Sequence, residues 1–201
     1  NKKSLEAAWK YLIICSVGIA LALMGVFFLA MAVPTQVEFF TPRGLSKFAG
    51  YLRTDWLQVA FIFILVGYGT KAGFAPMHTW LPDAHSEAPS PASALLSGAL
   101  LNCALLAILR VYQVCAEVPA VQALALQLFI LFGLVSMAIS GIFIMHQADY
   151  KRMLAYSSVE HMGIMIFAFG LGKAAAAAAL FHAICHSLVK SSLFMLAGNI
   201  L

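Results

Sequence analysis

An all-α, polytopic membrane helix bundle is the fold class this sequence predicts, and three observations carry the prediction. Of the 201 residues, 63% are hydrophobic and only 10% are charged. Soluble domains carry about 25% charged residues, so this chain lacks the polar side chains to cover a globule in water. Its mean hydropathy is +0.93, and apolar runs recur along it. A helix of about 20 such residues crosses roughly 30 Å of hydrocarbon, and backbone groups in lipid must be satisfied within the helix.

Six spans follow, at approximately 9–33, 56–80, 91–115, 120–146, 153–171 and 174–200, in one membrane domain covering 1–201. The first is an unbroken apolar run from Tyr11 to Val33. The connection after it, "PTQVEFFTPRGLSKFAGYLRTD", is the longest and least apolar. It suits a short interfacial helix with Phe39, Phe40, Phe48 and Tyr51 at headgroup depth. The second span is interrupted: Gly67, Gly69, Gly73 and Pro76 surround Lys71. Pro removes a backbone donor and clashes with the preceding turn, and such breaks survive in membranes where freed groups face protein, water or an ion.

"LPDAHSEAPSP" reads as a connection to the third span, with Asp83 and Ser90 as capping residues and Pro91 suited to a helix start. The remaining connections are short: "AEVP", "QADYKR" and "GLGK". The alanine run 174–179 opens the sixth span and suggests close helix packing. With an even number of spans both ends share one side, with Lys2, Lys3, Lys10, Lys151 and Arg152. Arg43, Lys47, Arg53 and Lys173 fall on the other, with Arg110 near a span end. The first set is the expected cytoplasmic one.

The net charge of +4 is scattered through ends and loops, which argues against a nucleic-acid-binding stripe. Cys15, Cys103, Cys115 and Cys185 lie in apolar runs without a CxxC pair, so neither a disulfide framework nor an iron–sulfur site is indicated. No initiator Met opens the sequence and no charged segment with a cleavage site follows, so no signal peptide is expected. Both ends read as cuts through a larger protein.

The chemistry lies in residues that are expensive to bury. Lys71 sits about 15 residues into its span, roughly 22 Å along a helix, and a mid-bilayer lysine costs about 2.5–3.5 kcal/mol on insertion scales. Desolvation opposes its charge and a nearby carboxylate or water restores it, so such a group can take up and release a proton. The alternative is a lysine snorkelling to a headgroup. His182, His186 and Lys190 are spaced four apart on one slowly drifting stripe, and imidazole both accepts and donates protons.

Glu160 either pairs with Lys151 or Arg152 or faces the bundle and exchanges protons. His161 points about 100° away from it around the helix. Asn102, midway along the third span, can hold water or bond a neighbouring helix. "HAICH" places His182, Cys185 and His186 on one turn, and "MHTWLPDAHSEAPSP" gathers His78, Asp83, His85 and Glu87. Both contain metal-ligand types without a companion cluster, and a haem clamp lacks the repeated His spacing it would need. No metal or other cofactor is expected.

The segments "KAGFAPMHTWLPDAHSEAPSPASALLSG", "DYKRMLAYSSVEHMG" and "HAICHSLVKSSLF" together resemble the antiporter-like subunits shared by respiratory complex I, membrane-bound hydrogenases and Mrp cation/proton antiporters. The wording is most similar to the hydrogenase-4 component F branch. The resemblance implies a fold of about fourteen helices with two inverted repeats, each holding a broken helix, of which this chain would supply roughly helices six to eleven. It implies that Lys71 is the lysine of the first broken helix, and that His182, His186 and Lys190 continue a central polar axis. A glutamate partner of Lys71 and an exit residue would lie outside these 201 residues. Many relatives carry a lysine where this chain has Asn102.

The implied function is proton translocation in a hydrogenase- or complex I-type assembly of the bacterial inner membrane. Other membrane and peripheral subunits would be partners, with redox chemistry on those subunits. Na⁺/H⁺ exchange of the Mrp type and a non-conducting scaffold are the implied alternatives.

Overall fold

The structure, a computed structural model, describes residues 2–33 and 49–200. These residues form helices and connecting turns, with no strand among them. The long helices are α1 (Lys2–Ala32), α2 (Thr54–Ala72), α3 (Trp80–Glu87), α4 (Ser90–Cys115), α5 (Pro119–Ile144), α6 (Tyr150–Gly170) and α7 (Lys173–Ile200). The expected interfacial segment lies mostly outside the described residues. Within them, Ala49–Tyr51 is a short 3₁₀ turn with Tyr51 exposed.

Among the described residues, five helical stretches are long and apolar enough to cross a membrane: α1, the α2–α3 unit, α4, α5 and α7. The sixth expected span, α6, differs. Its 21 residues reach about 31 Å at 1.5 Å per residue, but it carries Ser157, Ser158, Glu160 and His161. It packs between α5 and α7, where Ser158 is buried and Ser157, Glu160 and His161 are half-buried.

The second span is broken. Helix α2 ends on Gly73, whose φ of 79° is left-handed, a conformation that suits a residue without Cβ. The N–H of Phe74 then returns to the Gly69 carbonyl at 2.9 Å. The segment expected as a connection after Trp80 is instead the helix α3. Pro82 falls within its first turn, where a missing N–H costs nothing. The helix ends at Ala88, which is extended as residues before proline tend to be.

Two further expectations are corrected. Asp83 and Ser90 do not act as caps: Asp83 lies inside α3, and no side-chain cap bond is made at the start of α4. The capping carboxylate is Asp149, which accepts from the Arg152 N–H at 3.0 Å at the start of α6. Of the alanines 174–179, only Ala179 is buried and Ala176 is packed against the core. Ala174, Ala177 and Ala178 are exposed, because a helix offers its neighbours only one stripe.

Small residues set two close crossings. Between α1 and α2, a Cβ on Gly67 would lie 2.6 Å from the Gly18 carbonyl oxygen and 2.8 Å from the Ala22 Cα. Between α5 and α6, a Cβ on Gly163 would meet the Ser136 Cβ at 2.9 Å. The first crossing fixes Lys71 against α1. The second carries Ser136 to the helix break.

Candidate functional site

A helix break in an apolar bundle strands backbone groups, and this one is repaired by side chains from both sides. The Trp80 indole N–H donates to the Thr70 carbonyl at 2.8 Å. The N–H of Ala75 donates to the Ser136 hydroxyl of α5 at 3.0 Å. Trp80, Ala75 and Ser136 are fully buried. The break is therefore a built feature, and it places Lys71 in the last turn of α2, where free carbonyls and the helix dipole favour a cation.

Lys71 meets α1. Its Nζ donates to the Tyr11 hydroxyl at 3.0 Å and lies 4.6 Å from the Tyr11 ring centroid. The Cys15 thiol is a further neighbour. The Tyr11 ring packs edge-on to Trp80 at 5.1 Å. No ion pair to Lys71 is formed among the described residues, and the lysine lines a cavity of about 300 Å³ with Ile19, Ala22, Leu23, Val26, Gly67 and Tyr68.

Asn102 bonds a neighbouring helix, one of the two roles open to it. Its amide donates to the Ala183 carbonyl at 3.1 Å and to the Ser187 hydroxyl at 2.6 Å, tying α4 to α7. Ser187 passes the bond on to the Gly98 carbonyl at 2.6 Å, within a π-helical turn at Leu96–Leu100. The Oδ1 of Asn102 is buried without a protein partner.

Next to this tie stand the imidazoles. His182 and His186 of α7 are joined by His161 of α6: the His161 Nδ1 is 3.1 Å from the His182 Nε2, and the His161 and His186 ring centroids are 5.7 Å apart. All three line one small cavity with Cys185 and Lys190. His186 is 4% exposed and both its nitrogens lack a protein partner. Lys190, 2% exposed, donates from Nζ to the Leu154 carbonyl of α6 at 3.1 Å. Glu160 forms no ion pair with Lys151 or Arg152. Arg152 pairs instead with Asp83, Lys151 donates to the Ala88 carbonyl, and Glu160 lies within electrostatic reach of Lys190.

Two residues outside the sequence-derived set join this region. His161 was set aside because it points away from Glu160, but its partner is on the next helix. His85, read as a loop residue, is fully buried on α3, stacks on Phe194 of α7 with centroids 4.6 Å apart, and feels the charge of Lys190. Both its ring nitrogens are unpartnered. The signal that could have found it was Pro82: a proline tolerated in a first helical turn allows "WLPDAHSE" to be a helix, and then His85 has an inward face to occupy.

No group of three or more His, Cys, Asp or Glu is arranged to hold a metal among the described residues. His78 stands 6.1 Å from Tyr156, ring to ring. Asp83 forms ion pairs with Lys10 and Arg152 at 2.9 Å each. Ser86 donates to Asp149 at 2.6 Å, and Ser4 donates to Glu87 at 2.6 Å. Lys10, Asp83, Ser86, Glu87, Asp149 and Arg152 line a polar cavity of about 520 Å³ where α1, α3 and the start of α6 meet. Partial burial pushes the Asp149 carboxyl up. The Ser86 hydroxyl, the backbone N–H groups of Arg152 and Lys151 and the Arg152 charge outweigh it and hold the carboxyl below its usual range.

The chain's sequence and fold are similar to those of known proteins. The chain is 49% identical over 204 residues to a hydrogenase-4 component F homolog of Methylacidiphilum infernorum, covering 98% of this chain and 42% of that protein. It is 33% identical to hydrogenase-4 component B of Escherichia coli over 100% of this chain and 31% of that protein. Among solved structures, an archaeal membrane-bound sulfane sulfur reductase superposes with a TM-score of 0.89 at 25% identity, over 100% of this chain and 40% of that one. The Mrp complex of Dietzia shares the fold, with a TM-score of 0.82 at 22% identity over 98% and 35% of the two chains. The chain thus spans less than half the length of these relatives. All of its residues, 1–201, match the transmembrane family described as NADH:quinone oxidoreductase/Mrp antiporter, and the chain belongs to that family.

Proposed function

We propose that this chain carries protons through the membrane arm of a hydrogenase- or complex I-type assembly, with redox chemistry on partner subunits. The observation that supports this most is the set of buried polar groups, two of them titratable imidazoles, left open to further bonds. Both nitrogens of His85 and of His186, and the Oδ1 of Asn102, lack protein partners, and Lys190 stands among them. Native interiors satisfy more than about 90% of buried polar groups, and ordered water is the ordinary partner where protein supplies none. In this reading Lys71 is the proton-accepting gate at the helix break. Water held at Asn102 leads to His182 with His161, then to His186 and Lys190, with Glu160 biasing the charge of the last.

The bacterial inner membrane is the implied location, and other membrane and peripheral subunits are the implied partners. The test is Lys71→Ala in the intact complex. Redox-linked proton movement is expected to stop while dye-coupled redox activity persists; undiminished movement sinks the assignment.

One observation favours a second reading, a non-conducting scaffold. The Asn102 amide nitrogen ties α4 to α7, at a position where the family resemblance implies a lysine in many relatives. Proton movement seen only after Asn102→Lys would favour the scaffold. Sodium-dependent proton flux in vesicles without a redox substrate would instead favour Na⁺/H⁺ exchange.

A further inference from the structure

Lys190 is held by a carbonyl that it does not have to itself. Its Nζ donates to the Leu154 oxygen at 3.1 Å, and the Ser158 hydroxyl donates to the same oxygen at 3.0 Å. Leu154 and Ser158 lie one turn apart in α6, so the Ser158 backbone N–H is also directed at that carbonyl, as in any α-helix. A carbonyl oxygen has two lone pairs, and here three donors converge on it. Because the Ser158 O–H is committed to Leu154, the 2.8 Å contact between Ser158 and Ser97 can be made only with Ser97 as donor. Both serines are fully buried. Ser97 lies within the π-helical turn of α4. The result is a directed chain running from Ser97 to Ser158 to the Leu154 oxygen, where it meets Lys190.

We propose that Ser158, polarised by Ser97, is a positioning residue that competes with Lys190 for the Leu154 carbonyl and so keeps the lysine from being trapped as a fixed ammonium. This rests on the reading of Lys190 as a proton carrier. A lone carbonyl acceptor in an apolar interior holds an ammonium firmly, because the alternative is an unpaired buried charge. Sharing that acceptor with a neutral hydroxyl weakens the hold at no cost in charge. Ser97 strengthens the competition, since a hydroxyl that accepts a bond donates a stronger one. The charged and titratable groups around Lys190 are His85 from α3, Glu160 and His161 from α6, and His182, Cys185 and His186 on α7 itself. From α4 the nearby polar groups are uncharged, Ser97 and Asn102. None of the titratable groups shares the Leu154 carbonyl in the way Ser158 does.

The experiment measures redox-driven proton flux against pH with the full-length protein in its complex, reconstituted in vesicles. Ser158→Ala is expected to slow flux several-fold and to move the pH of half-maximal flux upward by ~0.5 unit, the order of one shared hydrogen bond. Ser158→Thr keeps the hydroxyl and should restore the original profile. Ser97→Ala should give a smaller shift in the same direction, and it decides the matter if Ser158→Ala does not assemble. An unshifted profile in Ser158→Ala, a failure of Ser158→Thr to restore it, or an unshifted Ser97→Ala where that variant must decide, overturns the proposal. Lys190→Ala separates the two claims. If it stops flux while the serine variants do nothing, only this inference falls. If it leaves flux intact, the proton-carrier reading falls with it.

Discussion

Removing the Ser136 hydroxyl tests whether the helix break is a built feature or a tolerated defect. In Ser136→Ala the buried N–H of Ala75 loses its acceptor at 3.0 Å. No water can easily replace it where Ala75, Phe74 and Trp80 are all fully buried. A buried donor left unsatisfied costs about 1–3 kcal/mol. For a chain of this length each kcal/mol corresponds to roughly 2–4 °C in Tm, so the expected loss is of the order of 2–12 °C. The assay is thermal unfolding in detergent, followed by tryptophan fluorescence in a background with Trp9 and Trp56 replaced by Phe, so that the signal comes from Trp80, which is hydrogen-bonded across the same break. The matched control is Ser140→Ala. That hydroxyl donates only to carbonyls of its own helix, Ser136 and Met137, so its loss strands no buried donor and should cost less than Ser136→Ala. If the two variants melt together, the Ala75–Ser136 bond does not hold the break, and the account of the break is wrong.

Other outcomes follow from the same geometry. Gly67→Ala drives a methyl into the α1 backbone at Gly18 and Ala22 and should cost about 1–3 kcal/mol as overpacking. Gly141→Ala meets nothing within 4 Å and should be neutral or slightly stabilising; equal melting temperatures would refute the crossing. Asp149 is held below its usual range by Ser86, Arg152 and Lys151 against the effect of partial burial. A depressed carboxyl stabilises above its unfolded value of about 3.9, and that contribution is lost as pH falls through the folded value. The stability gap between the native protein and Asp149→Asn should therefore be constant from about pH 7 to 5 and close below about pH 4; a gap unchanged at pH 3 contradicts it. His161→Phe keeps a ring beside His182 and His186 without its nitrogens. Proton flux should drop at least about tenfold while dye-coupled redox activity stays, and unchanged flux would remove His161 from the path.

Much of the fold was legible because burial in lipid leaves little choice: an apolar run of the right length has to be a helix. The break was legible too, since Gly73 and Pro76 interrupt an apolar run beside a lysine that is costly to bury. What repairs it was not. Ser136 lies 61 residues from Ala75, and nothing local marks a serine in α5 as the acceptor for an orphan in another helix.

The boundary of α3 was missed for a different reason. Polar composition suggested a loop, while the helical reading of "WLPDAHSE" depends on where Pro82 falls in the first turn. That misreading hid His85. His161 was hidden by reasoning along one helix, where an angle of about 100° separates it from Glu160 but says nothing of α7. Asn102 was legible as a polar group in a span, but its tie to α7 depends on where Ala183 and Ser187 pack.

The central claim is that protons move through the buried groups gathered between α3, α4, α6 and α7. The most direct measurement is the proton-to-electron ratio of the intact complex carrying Lys190→Ala, compared with the native complex in the same vesicles. The account predicts a lower ratio with dye-coupled redox activity preserved. An unchanged ratio in a fully assembled, redox-active complex would contradict it.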